Sequence, residues 1–180
     1  MGMSTNQPRK PAGTPTGGQW APAQHDETGI ELGPTMTGPV MTELPDGTRQ
    51  WRQDGKLYRI GGPAIELPDG TREWWVNDKR HRVGGPAVER SDGTRMWYQH
   101  GKLHRTDGPA VEGANGSCEW YRRGKLHRTD GPAVELSNGF RSWCRDGEFH
   151  RTDGPAVERP DGTCEWWAHG KLLRIDPSRV

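Results

Sequence analysis

The chain has no long apolar run, few cysteines and no surplus of charge of either sign. Only 29% of its 180 residues are hydrophobic and its mean hydropathy is −1.03, too little apolar material for a conventional two-layer core. No stretch approaches the roughly 20 apolar residues of a membrane-spanning helix, and the start carries no apolar secretory segment, so the expected location is cytoplasmic. Lys and Arg number 25 against 24 Asp and Glu, leaving a net charge of +1. That balance provides no bulk field for nucleic acid or anionic lipid, and neither is expected as a partner. The three cysteines, Cys118, Cys144 and Cys164, make no C-x-x-C pair and no even set, which argues against a zinc site and a disulfide framework. Cys118 and Cys164 share a position in the pattern described next, yet they would lie roughly 20 Å apart if each unit adds two strands. No metal and no cofactor is expected.

What the chain has instead is a period. Gly62, Gly85, Gly108, Gly131 and Gly154, each followed by Pro-Ala, are spaced by 23 residues. Trp51, Trp74, Trp97, Trp120, Trp143 and Trp166 keep the same spacing, as do Gly47 to Gly162 and Arg59 to Arg174. Several independent columns held at one period indicate stacked repeats, each burying its apolar surface only against its neighbours. The 26 glycines and 15 prolines mostly fall on these columns from Gly38 onward, where they read as turn residues.

Within a unit, short extended runs such as Pro-Ala-Val-Glu and Thr-Arg-Glu-Trp-Trp flank an Asp-Gly or Asn-Gly, a hairpin signal, and no helical periodicity competes with it. Further turns are expected at the Gly101-Lys102 column and at Asp107-Gly108, with a third short strand at Lys-Leu-His-Arg. The expected fold is all-β: an elongated stack of 23-residue β-hairpin repeats, as a single twisted antiparallel sheet or an open solenoid. It would span residues 34–177 in about five to six units, behind a disordered tail over residues 1–33 and before a short C-terminal end at 178–180. Terminal units are expected to be atypical caps. The first is one residue longer between Gly38 and Gly47 than its successors, and Pro177 takes the Gly position at the end.

The order aromatic, x-x-Gly-Lys-x-His, then Gly, then Asp-Gly resembles the MORN repeat and its bacterial variants over residues 38–176. The resemblance implies stacked hairpins in a single elongated sheet and a scaffold or binding module instead of an enzyme. The tail Pro11-Ala12-Gly13-Thr14-Pro15-Thr16-Gly17-Gly18-Gln19-Trp20 is similar to a short N-terminal motif of otherwise unrelated actinobacterial and actinophage proteins. It implies an origin in an actinobacterium, its phage or another mobile element.

Consecutive residues of a strand point to opposite faces, so Trp74 and Trp75 diverge. The first column, Trp51, Trp74, Trp97, Trp120, Trp143 and Trp166, is expected to be the repeat core because every unit keeps Trp there. The second, Trp75, Tyr98, Tyr121 and Trp167, is interrupted by Arg52 and Cys144, and with Lys102 and Lys125 it is the expected binding face. His81, His104, His127 and His150 recur about 10 Å apart, too far to share a metal ion, and are expected to bond the Asp three residues on in each turn where one is present. Every candidate acid or base occurs four or more times, so no catalytic residue is singled out. Two function classes follow: a non-catalytic scaffold for a protein partner, or a glycan or cell-wall binder, since Trp- and Gly-rich hairpins are also similar to choline-binding repeats.

Overall fold

The computed structural model describes residues 38–178, and the expected tail over residues 1–33 lies outside them. Among the described residues there is no helix; they form twenty-two short strands. Fourteen strands make one long antiparallel sheet and the remaining eight form four two-stranded sheets. The all-β stack of hairpin repeats read from the 23-residue period is the architecture found.

One unit shows how the sequence builds it. Val88–Glu89 pairs with Arg95–Met96 in the long sheet, and Tyr98–Gln99 pairs with Lys102–Leu103 in a two-stranded sheet of its own. Trp97 sits where the chain leaves one sheet for the other. The Asp-Gly turn spans five residues, Arg90 to Thr94: the Thr94 amide donates to Asp92 Oδ1 (2.7 Å) and Gly93 has φ +91°. The tight two-residue turn falls instead at His100-Gly101, where both residues have positive φ (51° and 79°), the geometry of a type I′ turn. The long sheet therefore runs through the hairpins Val88–Met96, Val111–Glu119 and their equivalents, each bonded to the next.

Across this sheet the registers align two rows. Ile65, Glu73, Val88, Met96, Val111, Glu119, Val134, Ser142, Val157 and Glu165 stand opposite one another on one face. On the other, Arg49, Glu66, Arg72, Glu89, Arg95 and Glu112 alternate in sign before Cys118 enters the row. Opposite charges placed directly across strands contribute roughly 0.2–1 kcal/mol per pair.

The tightest packing belongs to alanine. Ala64, Ala87, Ala110, Ala133 and Ala156 are all 0% exposed, and Val88, Val134 and Val157 are buried beside them. Each Ala carbonyl accepts from the Trp amide of its own or the preceding unit, as Ala87 O does from Trp74 N (2.8 Å). Trp51, Trp74, Trp97, Trp120, Trp143 and Trp166, expected to form the core, are half-buried, and the fully enclosed side chains beside them are the alanines. Each of these rings carries a guanidinium over it, at 3.8–3.9 Å from the ring centroid.

Neighbouring units are also joined through histidine. Nδ1 of His81, His104, His127 and His150 accepts the backbone N–H of His100, Arg123, Asp146 and His169, at 3.1–3.3 Å. The expected bond to Asp107, Asp130 or Asp153 is absent because Arg105, Arg128 and Arg151 hold those carboxylates. Nδ1 can accept only when unprotonated. Burial and then His100 lower the His81 pKa from its ordinary 6.5, and burial followed by His169 and Arg145 lowers that of His150. An unfolded chain then binds these protons more readily, so their contribution is complete above about pH 6.5 and is lost as pH falls toward the folded values. The thermal midpoint should be lower at pH 5.5 than at pH 7.5, a window in which carboxylates stay ionised. The double variant His81→Asn/His150→Asn, which keeps an acceptor, should flatten that difference; an unchanged difference would show that the two rings do not carry it.

Candidate functional site

Five units, those of Trp51, Trp74, Trp97, Trp120 and Trp143, repeat a four-part cluster that begins with Arg. Arg105 Cζ lies 3.9 Å from the centroid of the Trp97 ring. Its Nη1 donates to Pro109 O (3.1 Å) and Glu112 Oε1 (2.7 Å), and its Nε donates to Asp107 Oδ1 (3.1 Å). Gly108 lies against the same guanidinium, so close that a Cβ there would sit 2.9 Å from Cζ. The Trp column, the Arg column, the Gly-Pro-Ala column and the Glu column are thus one device, a guanidinium held between an indole and a bare glycine. The same cation–ring contact, at 3.8–3.9 Å, recurs for Trp51, Trp74, Trp120, Trp143 and Trp166. Such stacking contributes about 0.5–2 kcal/mol per pair.

Clefts lie between successive clusters, and four of them are each lined by the Arg-to-Gly loop of one unit and the Trp and His of the next. Their volumes are about 460, 550, 650 and 510 Å³, in chain order of Trp74, Trp97, Trp120 and Trp143. Trp, His and Arg line all four, while two other positions change along the array. Val76, Gln99, Arg122 and Arg145 occupy one of them in successive clefts. The loop position after Arg is Ile60 and Val83 at one end, exposed by 77% and 81%, and Thr106, Thr129 and Thr152 further on. The series therefore passes from an apolar cleft to basic ones.

The residues expected to form one binding face do not share one. Tyr98 stands opposite Leu103, and Lys102 stands opposite Gln99; Tyr121 and Lys125 are related in the same way through Leu126 and Arg122. Cross-strand partners share a side and consecutive residues do not, so the lysines lie on the cleft side and the aromatics on the reverse. Trp75, Tyr98, Tyr121 and Trp167 are half-buried, and the polar tips of Trp75, Tyr121 and Trp167 are hydrogen-bonded within the chain. Trp75 and Trp167 Nε1 donate to Glu73 and Glu165 (2.8 Å each), and the Tyr121 hydroxyl donates to Glu119 (2.9 Å). Burial and then the Glu119 bond push the Tyr121 pKa up to about 12. Arg80 also lies over Trp75 and Tyr98, at 5.0 and 5.6 Å. Cys144, in the same column, is buried; Phe149 stands opposite it, and Ser142, two residues before it, is buried as well.

All three cysteines are free, and burial raises the pKa of each. Among the described residues no group of three or more His, Cys, Asp or Glu is placed to hold a metal ion, and no helix is long and apolar enough to cross a membrane. No family model matches the sequence, and no curated protein is significantly similar to it.

The clefts were missed in the sequence because their walls come from two units. The signal that could have found them is the changing residue two places after each first-column Trp, inside an otherwise constant unit.

Proposed function

We propose that the array is a non-catalytic, MORN-like scaffold that binds a protein partner along its cleft-bearing side, in the cytoplasm of an actinobacterium or a phage-infected host. The observation that carries this is the change of lining at a constant architecture, from Ile60, Val76 and Val83 to Thr129, Arg145 and Thr152. A ligand that repeats along its length is served by equal clefts, whereas a polypeptide differs from residue to residue and is read by unequal ones. Five units at roughly 10 Å each give a surface some 50 Å long, sufficient for the ~800 Å² per partner of a standard interface. Repetition of every acid and base supports a binding role over catalysis.

A glycan ligand is the second reading, favoured by the Trp that lines each cleft. Calorimetry of the array against cell-wall fragments, and against a partner purified with the full chain from its native host, separates the two. The expected result is one partner per array, with Ile60→Glu/Val83→Glu weakening it at least tenfold while the fold is kept. Several equivalent sugar sites, insensitive to that variant, would overturn the protein reading.

A further inference from the structure

Among the described residues the long sheet ends on strand Lys171–Asp176, which there has one neighbour, Cys164–Ala168. It is the longest strand among the described residues and one of the most exposed: Leu173 is 63% and Ile175 52% accessible, and Leu172 is exposed as well. An edge that no described strand covers is a template for another strand, and the adjoining sequence chooses which.

Here the sequence is complementary to itself. Written against its own reverse, Lys171 meets Asp176, Leu172 meets Ile175, and Leu173 meets Arg174. In a regular strand residues 171 and 176 would point to opposite faces and could not meet across a pair. The strand is not regular: its register against Cys164–Ala168 shifts between Trp166 and Trp167, so that Arg174 pairs with Trp166 and Leu172 with Trp167. The bulge adds one residue at Leu173 and resets the alternation. Lys171, Arg174 and Asp176 consequently share one face, and Leu172 and Ile175 share the other. The irregularity that blunts an ordinary edge makes this one fit its own copy.

We propose that two copies of this chain pair antiparallel through strand Lys171–Asp176, about a twofold axis at Leu173-Arg174, with Lys171 of each copy against Asp176 of the other. The continued sheet keeps its alternating direction across the junction and closes at two copies, because the isologous contact consumes the same edge on both. The opposite outer strand, Val40–Glu43, does not fit in its place. Thirteen strands lie on the path of the long sheet, so its two outer strands run the same way, and joining them with faces in register would create a parallel pair in an otherwise antiparallel sheet.

Sedimentation of the full chain over a range of concentrations tests this. A monomer–dimer equilibrium is expected, with Lys171→Asp and Asp176→Lys each raising the dissociation constant at least tenfold and the charge-exchanged double variant recovering most of the loss. Asp176 also bonds Arg174 within its own chain (3.0 Å), and that contact is absent from both Asp176→Lys and the double variant. Recovery therefore reports the contact between copies. Both positions lie at the surface and a circular dichroism spectrum checks the fold of each variant. A monomer at all concentrations, growth beyond the dimer, or single variants that dimerise as well as the unaltered chain would each overturn the proposal.

Discussion

Excision of residues 108–130 should leave a shorter chain that still unfolds cooperatively. The cut joins Asp107 directly to Gly131, and every contact across the seam has an equivalent waiting one unit on. Trp97 N, which donates to Ala110 O, meets Ala133 O; His104, which accepts from Arg123 N, meets Asp146 N. In a stack stabilised by nearest-neighbour terms, the loss is one unit and one interface. Excision of residues 108–119 removes Val111–Glu112, one of the two strands paired with Arg95–Met96, together with Cys118–Glu119, so the sheet is interrupted on that edge, and it places Trp120 where Gly-Pro-Ala is required. That shorter deletion should abolish cooperative unfolding altogether. Urea denaturation followed by tryptophan fluorescence distinguishes the two, and similar loss in both would mean that the array does not consist of interchangeable units.

The second large effect is expected at a glycine whose backbone is ordinary. Gly131 does not have the left-handed φ of Gly124 or Gly139, yet a Cβ there would lie 2.8 Å from Arg128 Cζ and 3.0 Å from its Nε. Gly131→Ala should therefore push the guanidinium off the Trp120 ring and away from Pro132 O and Glu135, a loss of about 2 kcal/mol from stacking and charged hydrogen bonds. Arg128→Ala should cost a similar amount. Made in the Arg128→Ala background, the same Gly131→Ala change should cost nothing or stabilise by about 0.5 kcal/mol, because alanine restricts the unfolded chain and no guanidinium remains to displace. Equal costs in the two backgrounds would show that the glycine is required for some reason other than the Arg.

Much of the fold was legible because repetition makes a sequence its own alignment. The 23-residue columns locate Trp97, Arg105 and Gly108 in the same place in every unit, and the alternation of short extended runs with turn residues admits hairpins alone. Charge alternation was legible in part. Glu66, Glu89, Glu112, Glu135 and Glu158 keep the same 23-residue spacing as the Arg column, and the structure pairs Glu89 and Glu112 with Arg82 and Arg105 of that column at 2.9 and 2.7 Å. It also sets them in a second row against Arg72 and Arg95 that only strand register could reveal.

The face assignments were not legible, and the reason is local geometry. Alternation establishes that Trp97 and Tyr98 point apart, but it cannot say which side closes. Nor does spacing show that Lys102 stands opposite Gln99 instead of Tyr98; the two-residue turn at His100-Gly101 sets that register. A three-residue connection would have changed the pairing of the lysine.

The sequence alone determined the period, the number of units, the all-β class and the residues that every unit must keep, because each of these follows from recurrence and from the short range of turn and strand preferences. Tertiary structure decided that the fully enclosed positions are held by alanine and not by tryptophan, that a guanidinium stacks on each first-column indole and in five of the six lies against a bare glycine, that histidine ties one unit to the next, and that clefts of unequal lining open on the lysine side. All four are contacts between strands or between units, where distance depends on register and bend, and neither quantity is carried by any single residue.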